Sequence, residues 1–481
     1  HNTGVAVYGG YTALSNGNAM NNTITLRGAP NFTTPTASAL YGGYSYSGDA
    51  FSGNTLNIYE YSGSNIFANI ANFENFYFVL PAGVGNGATV LHTANLVLGN
   101  TSGDQSKVMG VIFRGASVGA GDRVILIDSA NAATGDGLST TTFTGKVGLR
   151  NAQMQASYDG TNHDVILDIL SIEAGAPAGA KSLSEGFISG AAFINQATDF
   201  IADRGMIAAI KEAERAERQL FAAFGGGGLR YDTGSHVDVD GYSLLVGASA
   251  RIPAATPFIL GAFIEHGEGD YDSYNSFAGA RYHGTGDTEY TGGGLLAHLD
   301  VDDALYFEGS LRGGRVKTDY DSRDFGQPVA YDAKSNYLGA HVGAGYRLPV
   351  GARASLKLYA QYLWSHQEGD KVTLANGDPV KFSDLDSSRA RLGAKWEHGL
   401  NKTATAWVGA AWEYEFDGKA RARYYDAPID APELKGDTGM LEIGLTIAPA
   451  ANRPMTLDFG IQGYAGKREG ATGSFRVNYA F

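Results

Sequence analysis

From Gln219 to Phe481 the chain is written in a two-residue period. In Leu356-Lys357-Leu358-Tyr359-Ala360-Gln361-Tyr362-Leu363-Trp364 every even position is apolar or aromatic, while Lys357 and Gln361 stand among the odd ones. Tyr242 to Ala250, Leu338 to Arg347 and Ala404 to Phe416 repeat the scheme. A strand turns successive side chains to opposite faces, so each segment presents one apolar row and one row mixing small, polar and charged residues. About twelve segments of ten or more residues, with aromatics towards their ends, predict an antiparallel barrel with apolar rows on lipid and polar rows on a lumen. Soluble antiparallel sheets also alternate, so the connections must separate the two readings.

Those connections alternate in length. Arg251 to Pro257, Asp300 to Asp303, Arg347 to Arg353, His398 to Thr403 and Ala448 to Pro454 are short. Gly267 to Thr288, Lys317 to Ala333, Gln367 to Leu385 and Asp417 to Gly436 are long, and only Asp232 to His236 and Gly466 to Gly470 are brief on that side. Short turns on one face and long loops on the other are what membrane barrels show. An even strand number puts both barrel ends on the short-turn, periplasmic side. No run of about 18 apolar residues occurs, so no spanning helix is expected. The last strand alternates through Phe475, Val477 and Tyr479 and ends on Phe481. In a soluble protein that would be an exposed apolar edge of the kind such proteins avoid.

One convincing helix precedes the barrel, expected over Leu183 to Phe224 and weakened only by Gly186, Gly190 and Gly205. Leu183, Phe187, Ala191, Ile194 and Ile201 form an apolar stripe. From Lys211 to Arg218 it is charged nearly all round, with Lys211, Glu212, Glu214, Arg215, Glu217 and Arg218. A helix polar on all sides lies in water or in a polar cavity. Barrels of about eight strands are filled by their own side chains and those of 16 to 18 are open, so about twelve leaves room for a helix roughly 10–12 Å across. Strand parity nominates Glu308, Arg312, Lys357, Gln361, Glu413 and Glu415 as lumenal partners of the charged half.

Upstream, Tyr8-Gly9-Gly10-Tyr11 recurs as Tyr41-Gly42-Gly43-Tyr44, and Asn22-Thr23-Ile24-Thr25-Leu26 as Asn54-Thr55-Leu56-Asn57-Ile58, at offsets of 33 and 32 residues. Short β runs repeated at this spacing between Gly, Asn and Ser turns predict a β-solenoid; a surface decoration without a packed core is the alternative. The pattern is already running at Asn2-Thr3, so further copies are expected upstream, and the start at His1 without Met reads as a processed or truncated terminus. From Asn72 to about Ile172 the runs become more apolar, for example Phe76 to Leu80 and Arg123 to Asp128, and suit the closing rungs of the solenoid. Glu173 to Lys181 reads as a linker. The expected organisation is therefore all-β: tandem repeats over 1–71, closing rungs over 72–175, linker and lumenal helix over 176–218, and barrel over 219–481.

Sites of chemistry are not legible. A net charge of −14 is opposite to what phosphate binding needs, so nucleic acid is not expected as a partner. Cysteine is absent, which removes disulfides and thiolate chemistry. Gly225 to Gly228 lacks the Lys-Ser/Thr of a phosphate loop and suits a strand running beside a helix. Asp300-Val301-Asp302-Asp303 lacks the Gly and Glu spacing of a calcium loop. The histidines have no metal-ligand spacing, and the serines no nucleophile-elbow surroundings. No catalytic residue, metal or cofactor is expected.

Taken in order, a solenoid, a linker, a helix and about twelve membrane strands ending in aromatic-x-Phe resemble the type Va autotransporters of type V secretion. The run Arg230-Tyr231-Asp232-Thr233-Gly234-Ser235-His236-Val237 looks like part of that family's helix-to-barrel junction. The resemblance implies a monomeric barrel in the bacterial outer membrane, a helix inside it, and a passenger held at the cell surface. It implies outer-membrane lipid, periplasmic chaperones and the barrel assembly machinery as partners, the last reading Phe475, Val477, Tyr479 and Phe481. Residues 76 to about 172 look like the passenger portion that assists folding in that family. Members that cut their passenger commonly carry an Asn-Asn pair in the lumenal helix; here Asn195 is followed by Gln196, so an uncut passenger is expected. Tandem repeats and exposed tyrosines favour an adhesive or structural passenger. An enzyme carried upstream, or a helix-plugged pore, are the alternatives.

Overall fold

The computed structural model describes residues 4–30, 32, 37–211, 217–254, 256–277, 279–448 and 455–480. It forms two compact units, His1–Pro177 with Asn376–Asp378, and Ala178–Ala375 with Pro379–Phe481.

The first unit is built from β1 (Ala6–Thr12), β2 (Thr23–Arg27), β3 (Ala39–Ser45), β4 (Thr55–Tyr59), β5 (Ile66–Ala71), β6 (Asn75–Leu80), β7 (Thr89–Leu96), β8 (Lys107–Phe113), β9 (Arg123–Ser129), β10 (Thr141–Val147), β11 (Arg150–Asp159) and β12 (Asp164–Ile172). Odd strands β1 to β9 stack in parallel on one side and even strands β2 to β10 on the other. The repeat offsets are single rungs: Tyr8 lies beside Tyr41, and Thr23 beside Thr55. Between the two stacks Leu40, Leu56, Phe67, Phe78, Phe113 and Leu126 are fully buried. Many outward alternate positions are polar or aromatic, such as Thr23, Thr25, Asn57 and Tyr77, with Ile66, Met109 and Leu170 as exposed aliphatic exceptions.

A parallel stack leaves a free end, and the chain covers this one with a hairpin. Asp159 accepts the main-chain N–H of Thr161, and His163 takes a left-handed φ of 65°, so the chain reverses between β11 and β12. Strand β11 then pairs antiparallel with β10, and β12 with β9. The two stacks become one continuous sheet of twelve strands folded around its core.

Asn54 holds the repeats in register from inside. Its Oδ1 accepts Asn22 N at 2.9 Å and Asn22 Nδ2 at 3.0 Å, while its Nδ2 donates to Ala19 O and Ala50 O at 2.9 and 2.6 Å. Removing a buried partner leaves donors and acceptors unsatisfied at about 1–3 kcal/mol each. Asn54→Ala should therefore lower the urea midpoint of the solenoid transition, followed by limited proteolysis of the full chain, by an amount equivalent to about 2 kcal/mol or more; an unchanged midpoint would remove Asn54 as the register lock.

The second unit begins with α1 (Lys181–Phe200), a π-turn over Ile201–Gly205 and α2 (Met206–Lys211). Its strands are β13 (Arg218–Asp232), β14 (His236–Ile252), β15 (Phe258–Phe277), β16 (Ala280–Asp300), β17 (Leu305–Ser322), β18 (Val329–Pro349), β19 (Ala354–Gln367), the short β20 (Lys371–Thr373) and β21 (Pro379–Phe382), β22 (Leu385–Gly399), β23 (Ala404–Glu415), the short β24 (Ala422–Tyr424) and β25 (Ala427–Ile429), β26 (Gly436–Ile447), β27 (Met455–Gly466) and β28 (Arg468–Ala480). Twelve of them close into an antiparallel barrel, the seam being β13 against β28 from Gln219↔Ala480 to Tyr231↔Arg468. The other four form a small sheet in the order β20-β21-β24-β25.

The barrel is apolar outside and charged inside. Leu244, Val246, Leu260, Ile264, Leu311, Val342, Leu392, Leu441, Ile443 and Ile461 are exposed on its outer wall, whereas Glu265, Arg312, Arg391, Glu413 and Arg468 are buried. Exposed Tyr346, Trp396, Trp412, Phe416 and Tyr479 supply outward aromatics. This inversion suits lipid outside and a polar lumen. Among the described residues no helix is long and apolar enough to cross a membrane.

Two expectations need correction. The helix does not run to Phe224: its described part ends at Lys211, and Leu220 to Phe224 lie in β13, hydrogen-bonded to β14 on one edge and β28 on the other. Barrel closure needs that strand, and ladders on both sides outweigh a local helix preference. The long connections Gly267 to Thr288 and Lys317 to Ala333 are mostly strand, with β15 and β16 paired up to Phe277↔Ala280 and β17 and β18 up to Ser322↔Val329. In these extensions the pattern changes sign. Tyr271, Tyr320 and Tyr331 are buried inward while Glu268, Asp270 and Asp319 occupy the opposite face, so a search for outward apolar rows ends too soon.

Candidate functional site

The functional centre of the second unit is the helix and the wall it touches. At its start, Ser182 Oγ and Tyr320 Oη lie 2.7 Å apart, and Tyr331 Oη donates to Leu183 O at 2.6 Å. Gly186 passes between tyrosines so closely that a Cβ there would lie 2.5 Å from Tyr331 Oη and 2.7 Å from Tyr271 Oη. Phe187 stacks on Phe382 with ring centroids 4.6 Å apart. Glu185, fully buried, accepts from Thr233 Oγ1 at 2.9 Å, from Ser235 Oγ at 2.5 Å and from Asn275 Nδ2, and meets Lys181 Nζ at 3.5 Å.

Halfway along, Arg312 reaches from β17 to the helix backbone. Its Nη2 donates to Ile194 O and Thr198 Oγ1, both at 2.6 Å, and its Nη1 to Glu265 at 2.8 Å. The Asn195 side chain is held at both ends: Oδ1 accepts from Ser365 Oγ at 2.7 Å, and Nδ2 donates to Ser387 Oγ at 2.9 Å. Phe200 packs over Gly225, where a Cβ would come within 2.7 Å of its ring, so this first glycine of the β13 run leaves room for the helix, while Gly226 to Gly228 lie against β14 and β28.

Next comes a buried ion lattice. Asp199 meets Arg389 at 2.7 Å and Arg391 and Arg468 at 2.5 Å each. Glu413 faces Arg391 at 2.7 Å and Arg468 at 2.8 Å from the other side, and Asp203 adds a contact to Arg391 at 3.0 Å. In the π-turn Arg204 lies over the Trp407 ring at 4.4 Å, reaches Glu442 at 3.3 Å, and gives its carbonyl to Arg476, which pairs with Asp458 at 2.6 Å. Lys395 completes the group, 3.1 Å from Glu442. The acids Asp199, Asp203, Glu413, Glu415, Glu442 and Asp458 stand against the bases Arg204, Arg389, Arg391, Lys395, Arg468 and Arg476. That even balance is what burying them together requires, since an unmatched charge out of water is costly. The π-turn widens one turn by a residue, with Met206 N bonded to Ile201 O, and so sets the phase at which Asp203 and Arg204 leave the helix.

The parity-chosen candidates all lie on barrel strands, with other partners than expected. Glu308 is 3.8 Å from His298 and accepts from Gln361 at 3.2 Å; Lys357 lies over Tyr306 at 4.6 Å; Glu415 accepts from Ser387 Oγ and from Ser388 N. Arg312 and Glu413 meet the helix region through Ile194, Thr198 and the Asp199 cluster. Of the charged half, Glu217 is exposed, and Arg218 is an exposed strand residue beside Ala250. The contacts expected from them are made by Asp199, Asp203 and Arg204, because the chain leaves the helix before Arg218. Glu212, Glu214 and Arg215 lie outside the described residues, as does the side chain of Lys211. Phe475, Val477 and Tyr479 form an outward row on β28, beside Phe224, Ala222 and Leu220 of β13; Phe481 lies outside the described residues. The missed residues carried a signal: Asp199 and Asp203 are i,i+4 on the helix, and Arg389, Arg391 and Lys395 share the inward parity of one strand.

A sequence model described as the autotransporter β-domain matches residues 220–460, from the first barrel strand into β27. The chain belongs to this family. The barrel is accordingly an autotransporter translocator domain in the bacterial outer membrane, and its passenger stands at the cell surface. Among solved structures, the β-domain of the Bordetella autotransporter BrkA matches at 15% identity over 55% of this chain and 100% of that one, with a TM-score of 0.44. The translocator domain of NalP from Neisseria meningitidis matches at 13% identity over 60% and 98%, TM-score 0.46. The transport unit of AIDA-I from Escherichia coli matches at 15% over 59% and 98%, TM-score 0.43. No curated protein matches the sequence.

Breaking a buried ion pair on one side costs about 3–5 kcal/mol. Asp199→Ala strips one carboxylate from three guanidiniums, so the temperature at which the folded, fast-migrating gel band of the autotransporter converts to the unfolded one should fall clearly. Conversion at the parental temperature would show that the lattice does not hold the helix.

Proposed function

We propose that the autotransporter barrel anchors residues 1–175 at the cell surface as an adhesive or structural passenger, and that the tether through the lumen stays uncut. The division proposed is tandem repeats over 1–71, closing rungs over 72–175 that fold early and assist the rest, linker and lumenal helix over 176–218, and barrel over 219–481. The adhesive reading is carried by the tyrosine ladder of the repeats. Tyr8 stacks on Tyr41 with centroids 5.1 Å apart and Tyr11 on Tyr44 at 4.9 Å, and Tyr11 is 64% exposed. Exposed aromatic rows supply rigid contact area at low entropic cost, which is why Tyr is enriched in interaction surfaces.

An uncut tether is supported by the residue that follows Asn195, which is Gln196 and not the second asparagine of the pair found in members that cut their passenger. Secretion in this reading is mechanical, driven by passenger folding outside and by barrel assembly. Assembly is proposed to use the row Phe475, Val477, Tyr479 and Phe481 as the mark read by the barrel assembly machinery, after escort by periplasmic chaperones. Polar contacts of Lys211, Glu212, Glu214, Arg215, Glu217 and Arg218 with the wet interior of the barrel belong to this proposal.

Two measurements test it. Protease added to intact cells should remove residues 1–175 and leave the barrel; protection of that segment would sink surface display. Without protease, a denaturing gel should show one full-length band. Separate barrel and passenger bands, with a new N-terminus inside Leu183 to Phe224, would show that the tether is cut.

A further inference from the structure

The corners of the solenoid differ in length. Between the odd and even strands of successive rungs lie residues 13–22, 46–54, 72–74, 97–106 and 130–140. The first two corners stack on each other: Ala19 N donates to Asp49 O, Asp49 N to Asn18 Oδ1, and Asn21 N to Ser52 O. The last two also stack, through bridges Val97↔Thr134 and Ser106↔Leu138. The third corner is only Asn72, Phe73 and Glu74. It turns tightly because Asn72 takes a left-handed φ of 64° while its Nδ2 donates to Gly43 O at 2.9 Å. A short rung between two pairs of bulky corners leaves a notch. It is a cleft of about 640 Å³ with Asp49 and Ser52 on one wall, Thr101, Ser102 and Asp104 on the other, and Asn72 at its base.

The lining says what fits. It contains hydroxyl, carboxylate and amide groups and no Lys or Arg, so an anionic ligand has no counter-charge there. Its loop walls are already folded by their own side chains: Asp49 Oδ1 accepts the N–H groups of Phe51 and Ser52, and Asn100 Oδ1 those of Ser102 and Asp104. The walls are thus held in shape by bonds of their own, which lowers the ordering cost of association. Along the chain, Tyr44 and Tyr46 precede Ser47, the first residue of the cleft lining, and are 38% and 78% exposed. A ligand with many hydroxyls and a flat, weakly polar C–H face meets both features. The hydroxyls exchange hydrogen bonds with the walls, and the C–H face lies on the electron-rich ring.

We propose that this notch binds a neutral glycan, a hexopyranose chain seated between the corners with one sugar stacked on the tyrosine edge. The inference rests on the adhesive reading of the passenger and gives it a ligand class.

The test uses the detergent-purified full chain on an array of immobilised neutral hexose and N-acetylhexosamine oligosaccharides, followed by titration of the best binder. Ser102→Trp fills the notch from an exposed loop position, and Tyr46→Ala removes the platform; Tyr77→Ala, exposed on β6, is the control. Ser102→Trp and Tyr46→Ala should each weaken binding by about tenfold or more, with Tyr77→Ala unchanged and all three variants displayed at parental levels. The proposal is overturned if no neutral oligosaccharide binds, if only charged glycans or proteins bind, or if Ser102→Trp binds like the parent. Adhesion of cells displaying the chain to a cultured monolayer separates the two levels. Parental cells that do not adhere sink the adhesive reading, whereas adhesion indifferent to Ser102→Trp sinks the notch alone.

Discussion

The Asp199 carboxylate lies within 2.7 Å of Arg389 and 2.5 Å of both Arg391 and Arg468, three guanidiniums carried by two strands far apart in sequence. Inside a closed barrel these charges are removed from bulk water, so each depends on the others for compensation. Without the helix, the inward arginines of β22 and β28 would keep Glu413 but lose Asp199 and Asp203. Without barrel closure, Arg468 would not reach the arginines of β22. The helix is therefore a structural member of the barrel. The covalent route from passenger to membrane runs through the most strongly paired part of the second unit.

The two units face opposite solvents and solve the same problem of free strand edges. The solenoid keeps leucines, valines and phenylalanines inward and covers one end with the β11–β12 hairpin, so that both stacks finish on paired strands. The barrel keeps its leucines and isoleucines outward and closes β13 on β28. Lipid supplies no water to satisfy an open edge, which makes closure obligatory there; in water a capping hairpin is enough. The exposed tyrosines of β1 and β3 and the notch between corners are surfaces that neither folding problem requires.

Much of this was legible in residues alone. The Tyr-Gly-Gly-Tyr repeat gave the rung offset, since stacked rungs place like on like, and Tyr8 does lie beside Tyr41. The alternation from Leu356 to Trp364 gave both faces of its strand, because a two-residue period has only two phases. Less visible were elements whose local signal competes with distant pairing. Leu220-Phe221-Ala222-Ala223-Phe224 reads equally as the end of an amphipathic helix. The strand extensions around Tyr271 and Tyr320 hide because their polarity pattern reverses beyond the lipid. The lattice was legible only in part: Glu413 was inward by count, but Arg391 went unmarked and nothing local announced Asp199 as their partner.

The sequence by itself determined the class of each segment: period two with a final aromatic-x-Phe for a lipid-facing barrel, period 32 or 33 for a solenoid, and one proline-free stretch for a helix. These are properties of neighbours along the chain, and the geometry of strand and helix converts them directly into faces. Tertiary structure decided where the helix stops, how far the hairpins rise and which charges meet. Those outcomes depend on ladders between β13 and β28 and on ion pairs such as Asp199 with Arg468. Their energies exist only once residues hundreds of positions apart have been brought out of water together.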